Sequence, residues 1–201
     1  MDNQAGARQP YRIVTPPSGA TMACKRAFDI LCSFLGLAVL SPVLLVVSVL
    51  VAVTSPGGVF FRQERIGKDG RPFRIFKFRS MRKDNAGLKI TTGNDSRITP
   101  VGRFLRKSKI DELPQLINVL VGDMSFVGPR PEVADYVNLY TPYQRQVLLV
   151  RPGITGLASI RFRNENDLLT ASDDPNRTYV EQIMPRKIDL DLEYIPHASV
   201  F

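Results

Sequence analysis

The sequence predicts an α-rich α/β fold in which one hydrophobic membrane segment precedes a small domain with a short β-hairpin and amphipathic surface helices. Three patterns carry this prediction. Residues 30–61 contain no charge, residues 59–81 combine aromatic side chains and cations around a glycine turn, and apolar residues recur at helical spacing after Asp111. With 201 residues, the chain is long enough for one ordinary domain and a membrane element.

Composition and charge narrow the possible functions. The net charge of +8 is concentrated in residues 62–109, which carry +11, whereas residues 164–201 carry −5. Such a basic block indicates an anionic partner: phosphate groups, anionic lipid or nucleic acid. Two cysteines and the single histidine, His197, argue against a disulfide framework, a zinc site and a histidine-based triad. Acid–base or nucleophilic chemistry is therefore expected from carboxylates.

The distribution of apolar residues divides the chain into three segments. Residues 1–24 are rich in glycine, proline and glutamine and are interpreted as a flexible tail. Residues 25–58 contain the apolar run and are interpreted as a membrane helix, because its core is long enough to cross a bilayer. Residues 59–201 are expected to form the catalytic domain.

Pro42 lies in the middle of the apolar run. Because proline lacks an N–H and its ring crowds the preceding turn, the helix should kink or break there, and the Ser41 hydroxyl can satisfy a freed backbone group. Basic residues flank both ends of the run, which favours the same side of the membrane for both. The residue pattern leaves open a helix–break–helix hairpin and a kinked transmembrane helix. Lys25 and Arg26 are expected to anchor the helix at the interface and to neutralise Asp29.

The domain begins with a predicted β-hairpin, two short strands around the turn at Asp69-Gly70. A short amphipathic helix follows in VGRFLRKSK, where Phe104 and Leu105 lie beside cations. That helix suits either the lipid headgroup layer or packing against the domain. Near the end of the chain, PRKIDLDLEYI leaves helix and strand open.

Asp111 and Glu112 are adjacent carboxylates that follow a run of cations. Apolar residues come next at the helical spacing i, i+3, i+4 and i+7: Leu113, Leu116, Ile117 and Leu120. A helix is therefore predicted to begin near Asp111, with Pro114 in its first turn, and this pattern favours helix capping by Asp111 over catalysis. The catalytic alternative gives the two acids different roles, since neighbours on a helix point in different directions: one attacks phosphorus and the other holds a metal or orients the substrate.

Two arginines stand on stiff turns. Arg130 lies between two prolines in VGPRPE, and Arg151 precedes a Pro-Gly turn in RPGITG. Because proline limits backbone freedom and a guanidinium can bind phosphate through two parallel hydrogen bonds, both arginines are candidate phosphate ligands.

Together these motifs resemble the bacterial sugar transferases, and among them the small monotopic polyprenyl-phosphate phosphoglycosyl transferases, also called undecaprenyl-phosphate sugar phosphotransferases. The resemblance runs from Lys25 to Tyr194. The matching text is K-R-x-x-D with S-P inside the apolar run, then FFRQERIG, FKFRSM, TGNDSRITPVGRFLRKSKIDELPQLINVLVGDMSFVGPRPE and RPGITG. DELPQL and the GDMS and VGPRP segments are highly specific as a set.

The resemblance implies a reaction and a site. The family transfers a phospho-sugar from a UDP-sugar to polyprenyl phosphate and releases UMP in two steps. Asp111 would attack the β-phosphate and carry the phospho-sugar covalently, and Asp111 and Glu112 would hold Mg²⁺. The implied ligands of the phosphates or the nucleotide are Arg130, Arg151, Arg79 in FKFRSM and Arg97 in TGNDSRITP.

The resemblance also implies a location and partners. Ser41 and Pro42 match the family's break, which makes the membrane segment a re-entrant hairpin at the cytoplasmic face of the bacterial inner membrane. The expected partners are a UDP-sugar, polyprenyl phosphate and membrane lipids, without nucleic acid, and a dimer is compatible with the sequence. The chain is expected to be a minimal catalytic form that performs the first membrane step of glycoconjugate assembly.

Two other functions fit parts of the sequence. A non-enzymatic, membrane-anchored basic module that binds anionic lipid or nucleic acid would explain the +11 block and the apolar run. It would not explain Arg130 on its Pro-Arg-Pro turn or the Asp-Glu pair. A glycosyl transferase that moves the sugar without phosphate would release UDP instead of UMP.

Overall fold

The computed structural model describes residues 13–55, 57–82 and 97–200. The helices of this part of the chain are α1 (Gly19–Thr54), α2 (Pro100–Ser108), α3 (Gln115–Val121), α4 (Ala134–Val137), α5 (Leu157–Arg161), α6 (Glu165–Thr170), α7 (Pro175–Thr178) and α8 (Met184–Tyr194). The strands are β1 (Phe60–Ile66), β2 (Pro72–Phe78), β3 (Ser125–Val127) and β4 (Gly153–Thr155). Strands β1 and β2 pair antiparallel, and β3 and β4 pair parallel. Helices and two small sheets together confirm the predicted α-rich α/β class.

Helix α1 passes through Pro42 without interruption, so the predicted break into two helices is not seen. The Ser41 hydroxyl donates a hydrogen bond of 2.8 Å to the carbonyl of Ala38. That carbonyl is the one that Pro42, lacking an N–H, cannot bond. The serine therefore satisfies the freed group, as the sequence predicted, and the helix continues past the proline.

One face of α1 packs against the rest of the protein near both ends of the helix. Lys25, Asp29 and Ser33 are buried in its first half, and Val47 and Val51 are buried in its second half. The spacing of these residues matches the helical period, whereas large apolar side chains on the other faces are exposed. The helix is long and apolar enough to cross a membrane by length and composition.

Part of the segment predicted as a flexible tail, residues 1–24, packs against the domain or belongs to α1. Residues 1–12 lie outside the described residues. The buried Val14 already belongs to the main core, the cluster that also contains Val147 and Ile188. Its N–H donates to the Gln146 side chain at 2.7 Å. Helix α1 begins at Gly19, where the Ser18 hydroxyl accepts a hydrogen bond from the Thr21 N–H.

The β-hairpin prediction is confirmed. Strands β1 and β2 run in register from Phe60 opposite Phe78 to Ile66 opposite Pro72. The connecting turn holds Asp69 at φ 56° and Gly70 at φ 74°, a left-handed conformation typical of short hairpin loops. At the end of β2, Phe78 packs with Val51 of α1, so the hairpin supports the helix.

Helix α2 is amphipathic, as predicted. One side of it packs against the domain, and another side is exposed. Leu105 is 1% exposed and packs against Phe78, while the neighbouring Phe104 is 63% exposed. The PRKIDLDLEYI segment forms most of α8, which settles the choice between helix and strand. Helix α8 supplies Ile188 and Leu192 to the main core.

Candidate active site

Asp111 lies on a single 3-10 turn, Ile110–Glu112, between α2 and α3. Its side chain is buried, with the whole residue 8% exposed, and its Oδ1 atom has no hydrogen-bond partner. The predicted capping role is wrong. Helix α3 begins at Gln115, the residue before it is Pro114, and no side chain caps this end. Asp111 lies four residues before the start of α3, so its carboxylate does not cap the free N–H groups of that helix.

Glu112, in contrast, is held by two cations. Its Oε1 atom accepts hydrogen bonds from Lys77 Nζ at 2.7 Å and from Arg130 Nη2 at 3.1 Å. Lys77 comes from β2 and Arg130 from the Pro-Arg-Pro turn, so two distant segments meet at one oxygen. We call Lys77, Asp111, Glu112 and Arg130 the carboxylate cluster.

The two acids differ in their electrostatics. Burial raises the pKa of Asp111, and the charge of Lys77 opposes only part of that effect. Burial acts on Glu112 in the same direction, but the charges and hydrogen bonds of Arg130 and Lys77 outweigh it and lower the pKa of Glu112 to about 2. Glu112 is therefore a fixed anion, while Asp111 keeps a poorly hydrated oxygen without a partner. The two acids thus have different surroundings, and their catalytic roles stay a prediction.

The Pro-Arg-Pro turn is held by the Arg-Pro-Gly turn. The Gly128 N–H donates to the Thr155 carbonyl at 3.0 Å, and the Gly153 N–H donates to the Pro129 carbonyl at 2.9 Å. The backbones approach so closely that a Cβ atom on Gly153 would lie 2.2 Å from the Gly128 nitrogen. Only glycine permits this approach, and the contact fixes the backbone that carries Arg130.

The next residues brace the same turn from its other side. Arg65 of β1 bonds the Pro131 carbonyl at 3.2 Å and the Glu132 carboxylate at 3.4 Å. Glu132 also accepts a hydrogen bond from the Tyr179 hydroxyl. The direction of Arg130 thus depends on contacts from β1, β4 and the helical segment around Tyr179.

A sequence model of the family described as "Bacterial sugar transferase" matches residues 20–201. The chain belongs to this family. It is 43% identical over 193 residues, 93% of this chain and 39% of the relative, to the UDP-glucose:undecaprenyl-phosphate glucose-1-phosphate transferase of Escherichia coli (strain K12). The chain thus spans about two fifths of the length of that relative.

Two further relatives carry different names. The UDP-N-acetylgalactosamine-undecaprenyl-phosphate N-acetylgalactosaminephosphotransferase of Aeromonas hydrophila is 44% identical over 149 residues, which are 72% of this chain and 35% of the relative. The exopolysaccharide production protein PSS of Rhizobium leguminosarum bv. phaseoli is 45% identical over 150 residues, 70% of this chain and 74% of the relative. The names of the Escherichia coli and Aeromonas hydrophila relatives state different sugars, and the name of the Rhizobium relative states none.

In this member of the family, the arginines predicted to bind phosphate lie in separate places. Arg130 joins the carboxylate cluster. Arg151 instead donates to the Gly122 carbonyl at 2.9 Å, and Arg79 donates to the carbonyls of Gly58 and Phe60.

Arg97 lies in the strand-like contact that precedes α2. Its backbone carbonyl accepts from the Arg82 N–H at 2.9 Å, beside the bridge between Met81 and Ile98. Phosphate binding by Arg79, Arg97 and Arg151 stays a prediction.

A second polar group attaches the start of α1 to the domain. Lys25 forms an ion pair of 3.5 Å with Asp29 and donates a hydrogen bond to the Ser125 hydroxyl. Asp29 also accepts from the N–H of Phe126 at 3.2 Å, so the predicted pairing of Lys25 with Asp29 is confirmed and extended into the domain.

Two arginines complete this group at the end of α3. Arg26 donates to the carbonyls of Val119 and Leu120 at 2.5 and 3.0 Å, beside the contact of Arg151 with Gly122. Cations at a helix C-terminus satisfy its free carbonyls. We call Lys25, Arg26, Asp29, Ser125 and Arg151 the anchor cluster. A small cleft opens beside it, and neither Asp111 nor Glu112 lines that cleft.

Sequence reasoning missed Lys77 as a member of the site. A signal was present, because side chains alternate along a strand and Lys77 therefore shares a face of β2 with Ile75. Ile75 is buried in a core cluster with Val119 and Met124. A cation on the inward face of a strand needs an acidic partner, and Glu112 is that partner.

Proposed function

We propose that this chain transfers a phospho-sugar from a UDP-sugar to polyprenyl phosphate, with release of UMP, through a covalent intermediate on Asp111. The observation that carries the proposal is the contrast between two adjacent carboxylates. Glu112 is neutralised by Lys77 and Arg130, whereas Asp111 is buried with an unpartnered oxygen. The names of the relatives support UDP-sugars and undecaprenyl phosphate as substrates.

Asp111 would act as the nucleophile. Its Oδ1 supplies the electron pair of a new bond to the β-phosphorus, and the bond from that phosphorus to the bridging oxygen breaks, so that UMP leaves with the pair. An oxygen of polyprenyl phosphate then attacks the same phosphorus, and the Asp111 carboxylate is released. Because the residue is 8% exposed, attack costs less desolvation than it would from a hydrated carboxylate.

Lys77 and Arg130 would take up the charge that develops on the transferring group. Both cations form ion pairs with Glu112, and the Arg130 side chain is 37% exposed. A pre-oriented cation stabilises a phosphoryl transition state without moving at the moment of reaction. The Pro-Arg-Pro turn provides that fixed orientation for Arg130.

The carboxylate cluster fits a divalent cation that arrives with the substrate. Among the residues that the structure describes, no three His, Cys, Asp or Glu side chains cluster as a metal site. Mg²⁺, however, commonly takes one or two carboxylates and completes its shell with water and substrate phosphates. The unpartnered oxygen of Asp111 suits such a ligand set, and Asp111 and Glu112 would hold the ion. When bound, Mg²⁺ would neutralise the diphosphate charge, which the two cations of the cluster, already balanced by two carboxylates, cannot do alone.

The nucleophile is tested with the purified protein, Mg²⁺ and either UDP-glucose or UDP-N-acetylgalactosamine. We expect UMP release and, by mass spectrometry of peptides, a phospho-sugar adduct on Asp111. Asp111→Asn should abolish both, whereas Asp189→Asn, which changes an exposed carboxylate on α8, should leave both unchanged. UMP release that survives Asp111→Asn would overturn the assignment of the nucleophile. Release of UDP would favour a glycosyl transferase, and binding without turnover would favour the non-enzymatic module.

We also propose that α1 is re-entrant: it would bend at Pro42 without an interruption of the helix, and so enter and leave the cytoplasmic face of the inner membrane. Asp29 and Val47, on opposite sides of Pro42, are both buried against the same domain. If α1 spanned the membrane, the hydrocarbon core, about 30 Å thick, would separate one end of the helix from that domain, and the two ends could not both pack against it.

This arrangement predicts that both ends of α1 react from one side of the membrane. The exposed native Cys24 marks one end, and Lys68→Cys in the hairpin turn marks the other, with Cys32→Ala as the background. In inverted vesicles, a membrane-impermeant maleimide should label both positions, and in intact cells it should label neither. Labelling of the two positions from opposite sides would refute the re-entrant arrangement.

A further inference from the structure

Two buried polar atoms near the proposed nucleophile lack hydrogen-bond partners. One is Asp111 Oδ1, an acceptor, and the other is Gln115 Nε2, a donor. Gln115 is only 2% exposed, so its amide is removed from bulk solvent. An unsatisfied buried polar group destabilises the folded protein, and a catalytic role is one reason for such a group to persist. Among the described residues, the other such atoms belong to separate segments, at Ser55, Arg65 and Asp191.

The two residues lie four positions apart on a path of helical backbone. The 3-10 turn Ile110–Glu112 leads through Leu113 and Pro114, both in the right-handed helical conformation, into α3. Side chains four residues apart on such a path are neighbours. The residues that carry an unpartnered acceptor and an unpartnered donor are therefore about one turn apart along the chain, and no described group satisfies either atom.

Asn118 shows that the same helix does satisfy a buried amide where the fold needs one. It is fully buried, like Gln115, but its Oδ1 accepts from the Phe76 N–H at 2.9 Å. Its Nδ2 donates to the Arg74 carbonyl at 2.9 Å and to the Asp123 carboxylate at 3.1 Å. The free amide of Gln115 is thus a local property of the turn that carries Asp111 and not a general property of α3.

We propose that Gln115 is a substrate-contacting residue whose Nε2 donates a hydrogen bond to a non-bridging phosphoryl oxygen while the phosphorus is bonded to Asp111. This inference rests on the proposed function. When Asp111 Oδ1 gives its electron pair to phosphorus and the bridging oxygen leaves with UMP, the phosphoryl oxygens come within reach of the neighbouring donor. Gln115 keeps both amide protons throughout. One phosphoryl group thereby satisfies both orphan atoms, and a donor placed in advance favours the transition state over the free substrate.

The test uses Gln115→Met, which removes the donor, keeps a similar length and retains good helix propensity. We expect the kcat of UMP release from UDP-glucose or UDP-N-acetylgalactosamine to fall about 100-fold, with KM nearly unchanged, because the bond forms only after attack begins. The melting temperature of the substrate-free protein should stay the same or rise, because an unsatisfied donor has been removed. The matched control, Asn118→Leu, should lower the melting temperature, because Phe76, Arg74 and Asp123 lose their partner.

Opposite signs for turnover and stability distinguish this role from a structural one. A wild-type kcat in Gln115→Met would overturn the proposal, and so would a melting temperature that falls as far as in Asn118→Leu. Gln115→Glu gives a second measurement, since it keeps the shape and places an anion beside the phosphoryl group. It should be slower than Gln115→Met, and an equal or faster rate would also overturn the proposal. An Asp111 adduct in the wild type is scored separately, so a failure of the proposed function is recognised by its absence.

Discussion

The carboxylate cluster and the anchor cluster are built from the same residue types and do different work. Each contains a lysine, at least one arginine and one aspartate, and each joins segments far apart in sequence. In the anchor cluster, none of the described buried side-chain atoms lacks a partner. In the carboxylate cluster, Glu112 takes both cations and Asp111 Oδ1 has none. The comparison teaches that unsatisfied atoms, more than the density of charge, identify the place where chemistry is expected.

The largest expected effect tests whether the anchor cluster serves stability alone. Lys25→Met leaves the buried Asp29 without its cation and should lower the free energy of unfolding by about 3–5 kcal/mol. Arg177→Met is the matched control, since Arg177 and Glu181 form the same i, i+4 pair on an exposed surface, where the loss should be about 0.5 kcal/mol. Thermal or chemical unfolding in detergent measures both.

The comparison also predicts what Lys25→Met leaves intact. At a temperature where the variant is folded, UMP release per folded molecule should remain close to that of the wild type, because Lys25 has no contact with Asp111 or Glu112. A loss of turnover without a loss of stability would break the distinction between the two clusters.

A smaller effect concerns the pH dependence of the carboxylate cluster. The pKa of Glu112 falls from 4.5 to about 2 on folding, so its ion pairs stabilise the protein fully above pH 4.5. That contribution, of up to ~3 kcal/mol, is lost as the pH falls from 4.5 through about 2. Unfolding measured between pH 7 and pH 2.5 should show a weaker acid dependence in Glu112→Gln than in the wild type.

An exposed glutamate provides the control for this titration. Glu181→Gln removes a surface carboxylate paired with Arg177 and should leave the acid dependence parallel to that of the wild type. If the Glu112→Gln curve is also parallel, the two cations do not stabilise the charged form of Glu112, and the division between the two acids fails.

Much of the candidate site could be predicted from local sequence, but its partnerships could not. The DELPQL segment predicted a helix next to two acids, and VGPRPE predicted an arginine on a stiff backbone. Both predictions were possible because helical spacing and proline limit the backbone within a few residues. Capping by Asp111 was predicted wrongly, since the chain makes a separate 3-10 turn before α3. Arg130 and Arg151 carry similar motifs, yet one bonds a carboxylate and the other a backbone carbonyl.

The sequence by itself determined the apolar helix, the hairpin with its turn at Asp69-Gly70, the amphipathic α2 and the presence of two candidate acids. Periodicity, turn chemistry and charge are local properties, so they are readable without the fold. Only the tertiary structure decided that Lys77 meets Glu112 across 35 residues and that Lys25 meets Ser125 across 100 residues. The first contact, with that of Arg130, gives both cations of the cluster to Glu112 and leaves Asp111 Oδ1 without a partner, because a buried charge takes whichever partner the packing of distant segments brings to it.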